Sequence, residues 1–387
     1  MNAEPPFAGT IVPGFEPVQA LFAENFRRDD AYRELGAALC VCRGAEVLVD
    51  LWGGWADKAR TRPWQADTLV NVYSTTKAMT ALCLAMLVDR TLIRYEDPVG
   101  SVWPEFAAAG KETARIFHLA CHEVGLPGFS MPTTVEDLFD WQRVTARLAA
   151  QAPMWQPGEK ASYHAMTMGF LVGEVVRRVS GRSLGRFLAE EVAGPLGADF
   201  HIGLPASLDA RVAEMVGPRQ TVDLAQLALP SEALAALVNP VLDPTVPNRP
   251  EWRRAEIPAA NGQASARGAA RIFAVLAAGG SLGRERLLSP EGLARFTAPR
   301  GGHVDLLLGA APPWASGVGL NGLGLFGPNP RAYGHTGWGG SFVCADPDAG
   351  IAIAYVCNQM GQELIGDPRG RALAAEIHRC LDLRANP

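Results

Sequence analysis

The sequence predicts an α+β protein whose sheet is assembled from both ends of the chain. Three observations carry this. Two β-rich runs lie early, in GAALCVCRGAEVLVDLWGGWAD from residue 36. Two more lie late, in RAYGHTGWGGSFVCADPDAGIAIAYVCNQM, residues 331–360. Between them, from about 90 to 265, the patterning is helical, interrupted by loops. Strands at both ends with helices between imply a sheet domain of residues 1–90 and 265–387 and a mainly helical insert of residues 91–264. A site in such a protein is expected in the cleft between the two parts.

Each element has a local reason. The early runs turn at Arg43-Gly44, which predicts a hairpin. NVYSTTKAMTALCLAMLV (71–88) then begins a helix that is apolar on most sides and so is expected to be buried. TTVEDLFDWQRVTARLAAQ reads as a helix capped at Thr134, with Asp137 three residues on. MTMGFLVGEVVRRVSG stops at Gly181, which suits a left-handed terminal residue. The proline-rich stretch 239–258 reads as loop, and with 311–330 it is expected to shape a pocket. The late runs turn around Asp346–Gly350, and GRALAAEIHRCLDL closes the chain as a helix.

Composition narrows the function. The 387 residues are 48% hydrophobic and 19% charged, enough apolar material for a sizeable core. A net charge of −5 with mixed signs offers no basic stripe for nucleic acid or an anionic membrane. The N-terminal MNAEPPFAGTIVPGF has neither a basic region nor an apolar core, so no signal peptide is read. The uncharged run Ala78–Val88 is too short to span a bilayer. Seven cysteines, an odd number without CxxC pairs, read as buried free thiols. A cytoplasmic protein is expected.

One residue stands out. From Thr68 to Val88 the only charge is Lys77, and lysine occurs elsewhere only at 58, 111 and 160. An ammonium buried without a partner tends to shed its proton, and a desolvated lysine is a usable general base. Positions i and i+3 share a helix face, so Lys77 falls beside Ser74 at the helix start. There a hydroxyl meets free backbone N–H groups and the positive end of the dipole. The competing reading makes Ser74 a helix cap and Lys77 a side chain reaching solvent. Two further stretches bear on the choice: PGEKASYHAMTMGFLVG places Tyr163 before an apolar helix, and YGHTGWGGS (333–341) runs through glycines into a strand.

Other motifs are weaker. GRSLG (181–185) and GGSLG (279–283) match a lipase nucleophile pattern, but both follow helical stretches ending in glycine and read as caps and turns. His118, Cys121, His122 and Glu123 lack metal-ligand order, so no metal is expected. His164, beside Tyr163, reads as solvated.

Taken in chain order, Ser-x-x-Lys at 74–77, Tyr163 and His-Thr-Gly at 335–337 resemble the serine β-lactamase/penicillin-binding-protein superfamily. Within it the chain most resembles the family VIII carboxylesterases, close to class C β-lactamases. HLACHEVGLPGF (118–129) and the helix and loop of 163–197 extend the resemblance over roughly 30–380. It implies a β-lactamase/transpeptidase-like fold, with an antiparallel sheet flanked by helices plus a helical domain. It implies Ser74 as the acylated nucleophile, Lys77 and Tyr163 as its proton acceptors, and the backbone N–H groups of Ser74 and Trp338 as an oxyanion hole. His335, Thr336, Gly337, Trp338 and Gly339 would line the substrate site, and His122 would fix a loop.

Two departures from the lactamase pattern matter. His335 stands where a lysine usually meets the substrate carboxylate, and Ala165 stands where an asparagine would hold a lactam side chain. Both point away from β-lactams and towards small to medium carboxylic esters, hydrolysed without a cofactor. Acyl transfer, β-lactamase action and D-aminopeptidase or D,D-peptidase action would use the same site. A non-catalytic binding protein is disfavoured, because all three catalytic positions hold competent residues. The expected partner is a small ester, with no nucleic acid and no membrane.

Overall fold

The early and late β-runs meet in one antiparallel sheet. The computed structural model describes residues 5–220, 228–309 and 314–385. Among these, β1 (Phe7–Ile11), β2 (Gly36–Arg43), β3 (Glu46–Gly54), β4 (Gly319–Leu320), β5 (Tyr333–Thr336), β6 (Phe342–Asp346) and β7 (Ile351–Cys357) lie in the order β1-β3-β2-β7-β6-β5-β4. The two ends of the chain join at the β2–β7 pair, in register from Ile351 opposite Arg43 to Cys357 opposite Ala37.

The central strands are apolar without alternation because both faces are covered. Ala38, Cys40, Cys42, Ala352 and Ala354 face one apolar cluster, whereas Ala37, Leu39, Val41, Ile351 and Ile353 face another. The second cluster is closed by α1 (Glu16–Glu24) and the C-terminal α6 (Pro368–Ala385), through Val18, Phe22, Leu373 and Ile377. On the first face, small side chains let α5 (Ala266–Ala277) lie close to the strands. That cluster continues through α2 (Thr76–Asp89) to α3 (Trp141–Ala150) and α4 (Thr167–Ser180). Residues Thr76 to Val88 of α2 are all buried, as an all-round apolar helix requires.

The local expectations hold with three corrections. The Thr134–Asp137 box forms, with Thr134 N donating to Asp137 Oδ2 (3.0 Å) and Asp137 N to Thr134 Oγ1 (3.2 Å). It closes only a 3-10 turn, Glu136–Phe139, and α3 starts after a second cap, Asp140, which accepts from Arg143 N (3.0 Å). The late run holds three strands rather than two, because YGHT pairs with β6 across a turn formed by residues 337–341. The stretch 239–258 is not loop throughout, since Pro250 opens the short helix Pro250–Arg254, where its missing N–H costs nothing.

α4 ends at Gly181 in the left-handed conformation, and all seven cysteines are free and buried. No described helix is long and apolar enough to cross a membrane. Of the second loop expected to shape a pocket, residues 311–313 lie outside the described residues.

Candidate active site

Ser74 lies in a 3-10 turn, Tyr73–Thr75, that runs directly into α2. Its hydroxyl does not cap the helix. Lys77 Nζ lies 3.1 Å from Ser74 Oγ, as the i, i+3 spacing predicts. Lys77 has no exposed surface, and its remaining contacts are carbonyls, Ala165 O (2.7 Å) and Ala259 O (3.0 Å). No carboxylate pairs with it among the described residues. Burial therefore holds its pKa well below the usual lysine value. A neutral amine has two N–H groups and one lone pair; two carbonyls and one hydroxyl match that set.

Tyr163 stands over this pair, with Lys77 Nζ 4.7 Å from its ring centroid. The chain that carries it is pinned by Asp305, whose Oδ1 accepts from Tyr163 N (3.1 Å), Leu307 N (3.0 Å) and Leu308 N (3.0 Å). Burial pushes the phenol up, and the neighbouring Ser74 hydroxyl draws it partly back. Its hydroxyl is buried with no settled partner among the described residues.

His164 is not solvated but fully buried. Its Nε2 accepts from Leu126 N (3.0 Å), and its Nδ1 donates to Ser162 O (2.6 Å). Two loop segments supply these partners, and burial lowers its pKa to about 3. His122 accepts from His164 N at Nδ1 (3.1 Å), so its proton sits on Nε2. Its ring packs 4.7 Å from Tyr163 and 4.8 Å from Trp314. It does more than hold a loop: it forms part of the wall around the tyrosine.

β5 brings the glycine-rich segment to the same place. His335 Nδ1 donates to Thr336 O (2.7 Å), and since a carbonyl only accepts, Nε2 is left as a buried acceptor. Burial lowers its pKa to about 3, so the ring is neutral. After β5 the chain turns, with Gly340 N donating to Gly337 O (3.1 Å) and Gly337 N to Ser341 O (2.7 Å). These bonds leave the Trp338 N–H outside the turn's own hydrogen bonding. Gly339, at φ +90°, occupies the turn position that demands glycine. Thr336, Gly337 and Gly339 are buried, whereas Trp338 is half-buried and its ring meets Tyr73 edge-on at 5.2 Å. Tyr73 in turn donates to Pro244 O (2.7 Å), which ties the stretch 239–258 to the site.

The structure thus gathers Ser74, Lys77, Tyr163, His335 and Trp338. Trp314, stacked 6.0 Å from Tyr163, was missed, as was Ser341, whose hydroxyl donates to Val72 O (2.8 Å) and lies 3.0 Å from Thr75 Oγ1. Neither carries a local signal, because each meets the site only through distant chain. The lipase-like serines lie elsewhere. Ser183 caps the helix Leu184–Leu188 and donates to Glu256 (2.5 Å), and Ser281 is exposed in a two-residue strand.

Known proteins resemble this chain over most of its length. The pattern of the beta-lactamase family matches residues 22–376. The esterase/beta-lactamase LipL of Mycobacterium tuberculosis is 36% identical over 370 residues, 92% of this chain and 84% of that protein. The crystal structure of a family VIII carboxylesterase superposes with a TM-score of 0.90 at 44% identity, over 97% of this chain and 100% of that one. A penicillin-binding protein homologue from Caulobacter crescentus gives 0.88 at 39% identity, over 97% and 100%.

Proposed function

The chain belongs to the beta-lactamase family and is an esterase/beta-lactamase-like hydrolase, and on that premise we propose that it is a serine carboxylesterase acting on small to medium esters through an acyl-enzyme. The observation that carries this reading is the buried Lys77 amine, with no carboxylate partner among the described residues, 3.1 Å from Ser74 Oγ. A base of lowered pKa beside a hydroxyl is what a serine nucleophile needs at neutral pH.

In the proposed route Ser74 Oγ attacks the ester carbonyl as Lys77 takes its proton. The N–H groups of Ser74 and Trp338 receive the charge that develops on the carbonyl oxygen. Tyr163, whose ring lies 4.7 Å from the lysine nitrogen, passes the proton to the departing alcohol oxygen. Water then enters, loses a proton to the same pair and releases the acid, returning Ser74 to its hydroxyl form. No cofactor is called for.

A neutral His335 supports an ester over a β-lactam. It offers no positive charge to a carboxylate, and the methyl of Ala165 offers no amide to a lactam side chain. Trp338, half-buried and backed by the buried Tyr73 ring, gives the mouth of the site an aromatic surface suited to an apolar acyl or alcohol group.

The test pairs p-nitrophenyl acetate and butyrate with nitrocefin on wild type and Ser74→Ala, with mass spectrometry after a fluorophosphonate. Ester hydrolysis that needs Ser74, an adduct on Ser74 and slow nitrocefin turnover are expected. Full activity in Ser74→Ala, or faster nitrocefin than ester turnover, overturns the reading.

A further inference from the structure

The turn that carries Trp338 is gripped from two sides. In front, Ser341 bridges it to Val72 O and Thr75 Oγ1, on either side of Ser74. Behind, the Gly339 carbonyl accepts from Gly361 N (2.9 Å) and from Arg369 Nη2 (2.9 Å). Arg369 lies at the start of α6 and has no exposed surface. All five of its N–H groups are used. Nε donates to Asp367 Oδ1 (2.9 Å), Nη1 to Glu34 Oε1 (2.8 Å) and Gln359 O (3.0 Å), and Nη2 to Asp367 Oδ2 (2.7 Å) and Gly339 O. Tyr355 donates to the same Glu34 oxygen that Arg369 holds.

Glycine at 340 makes this approach possible, since a Cβ there would stand 2.8 Å from Arg369 Nη2. The same glycines free the turn to rotate, with Gly339 and Gly340 at φ +90° and +127°. A donor that must meet charge in a transition state works only if it is already in place. A buried ion cluster is rarely needed for stability, because apolar side chains of similar size often serve as well. What apolar side chains lack is a donor for the Gly339 carbonyl. Lysine, with three donors and no planar fork, cannot reproduce the five-bond pattern.

We propose that Arg369, held by Glu34 and Asp367, is a positioning residue that fixes the Trp338 N–H for catalysis by clamping the Gly339 carbonyl from behind. This rests on the reading of Trp338 as an oxyanion donor. Arg369 touches neither substrate nor Ser74; it acts through the turn.

The test uses Arg369→Lys and the isosteric Glu34→Gln in the full chain, with competent sites counted by fluorophosphonate titration so that only folded protein enters the rate. Phenylboronic acid serves as the second probe, because its tetrahedral adduct with Ser74 puts an oxygen where the oxyanion forms. Arg369→Lys is expected to lower kcat on p-nitrophenyl butyrate about 10- to 100-fold, a part of what losing an oxyanion donor outright costs. KM should stay within about two-fold, and boronate affinity should fall by a factor similar to that in kcat. Glu34→Gln should move the same quantities less, and it decides the matter if Arg369→Lys does not fold. Titrated sites that turn over within about two-fold of wild type, with unchanged boronate affinity, overturn the proposal. If Ser74→Ala still hydrolyses ester, the reading of Ser74 has failed, and that control separates the two failures.

Discussion

Lys77 and Arg369 are both wholly buried, and they have opposite fates. Lys77 is surrounded by carbonyls and a hydroxyl, and burial alone drives its pKa down. Arg369 lies between two carboxylates, and its pKa is held up by Glu34 and Asp367 against the same burial. The first environment gives up a proton and the second keeps its charge. Desolvation is common to both; what differs is whether a carboxylate is within reach. For these two residues that difference separates a proton acceptor from a fixed charge.

The comparison breaks most sharply in activity. Lys77→Met should lower kcat/KM for p-nitrophenyl butyrate by about 10³- to 10⁴-fold, the upper range for a general base, while the urea midpoint at pH 7 does not fall, because the cost of burying the amine is removed. A residual rate above about a tenth of wild type would show that Lys77 is not the base. Arg369→Met should behave in the reverse sense for stability. It leaves Glu34 and Asp367 uncompensated, and removing one partner of a buried pair costs about 3–5 kcal/mol, read as a drop in the urea midpoint. A midpoint as high as wild type would mean that the carboxylates find other partners.

Stability against pH sharpens the contrast because the two regions have opposite signs. Lys77 has a folded pKa below the unfolded value of 10.5, so between the two the unfolded chain binds more protons and stability rises with pH. Lys77→Met should remove that slope, at most about 1.4 kcal/mol per pH unit. Glu34 is pushed up to about 7 by burial from a usual value of 4.5. Its folded state binds more protons between these values, so its contribution is full below 4.5 and is lost as pH rises to about 7. Glu34→Gln should flatten that decline, by roughly 1–3 kcal/mol in all. Unfolding titrations of the three proteins from pH 4 to 10 check both signs, and equal slopes would refute the assignment.

The smallest effect belongs to the mouth of the site. Trp338→Ala removes the ring that meets Tyr73 but keeps the backbone N–H. It should change the ratio of octanoate to acetate hydrolysis by roughly 3- to 10-fold, the worth of about 1 kcal/mol of apolar contact. An unchanged chain-length profile would place the apolar group elsewhere.

Much of this site is legible in the chain because its first part is local. Ser74 and Lys77 are one helical turn apart, and the apolar residues around Lys77 announce its burial before any tertiary contact is known. The misreadings have the opposite character. His164 looks solvated in sequence because its partners, Leu126 N and Ser162 O, cannot be recognised as partners there. Thr134 looks like a helix start because its box with Asp137 does form, and only Asp140 decides where the α-helix begins. Trp314 and Arg369 have no motif at all.

The sequence by itself determined the α+β class, the hairpin at Arg43-Gly44, the buried helix after Ser74 and the pairing of Ser74 with Lys77. These follow from periods of two and of three to four residues, which act between near neighbours. The tertiary structure alone decided that the carbonyls of Ala165 and Ala259, rather than a carboxylate, face the Lys77 amine. It likewise put the lone pair of His335 on Nε2 and Arg369 behind the glycine turn. Those outcomes depend on which distant backbone groups arrive at one point, and no local period encodes an arrival.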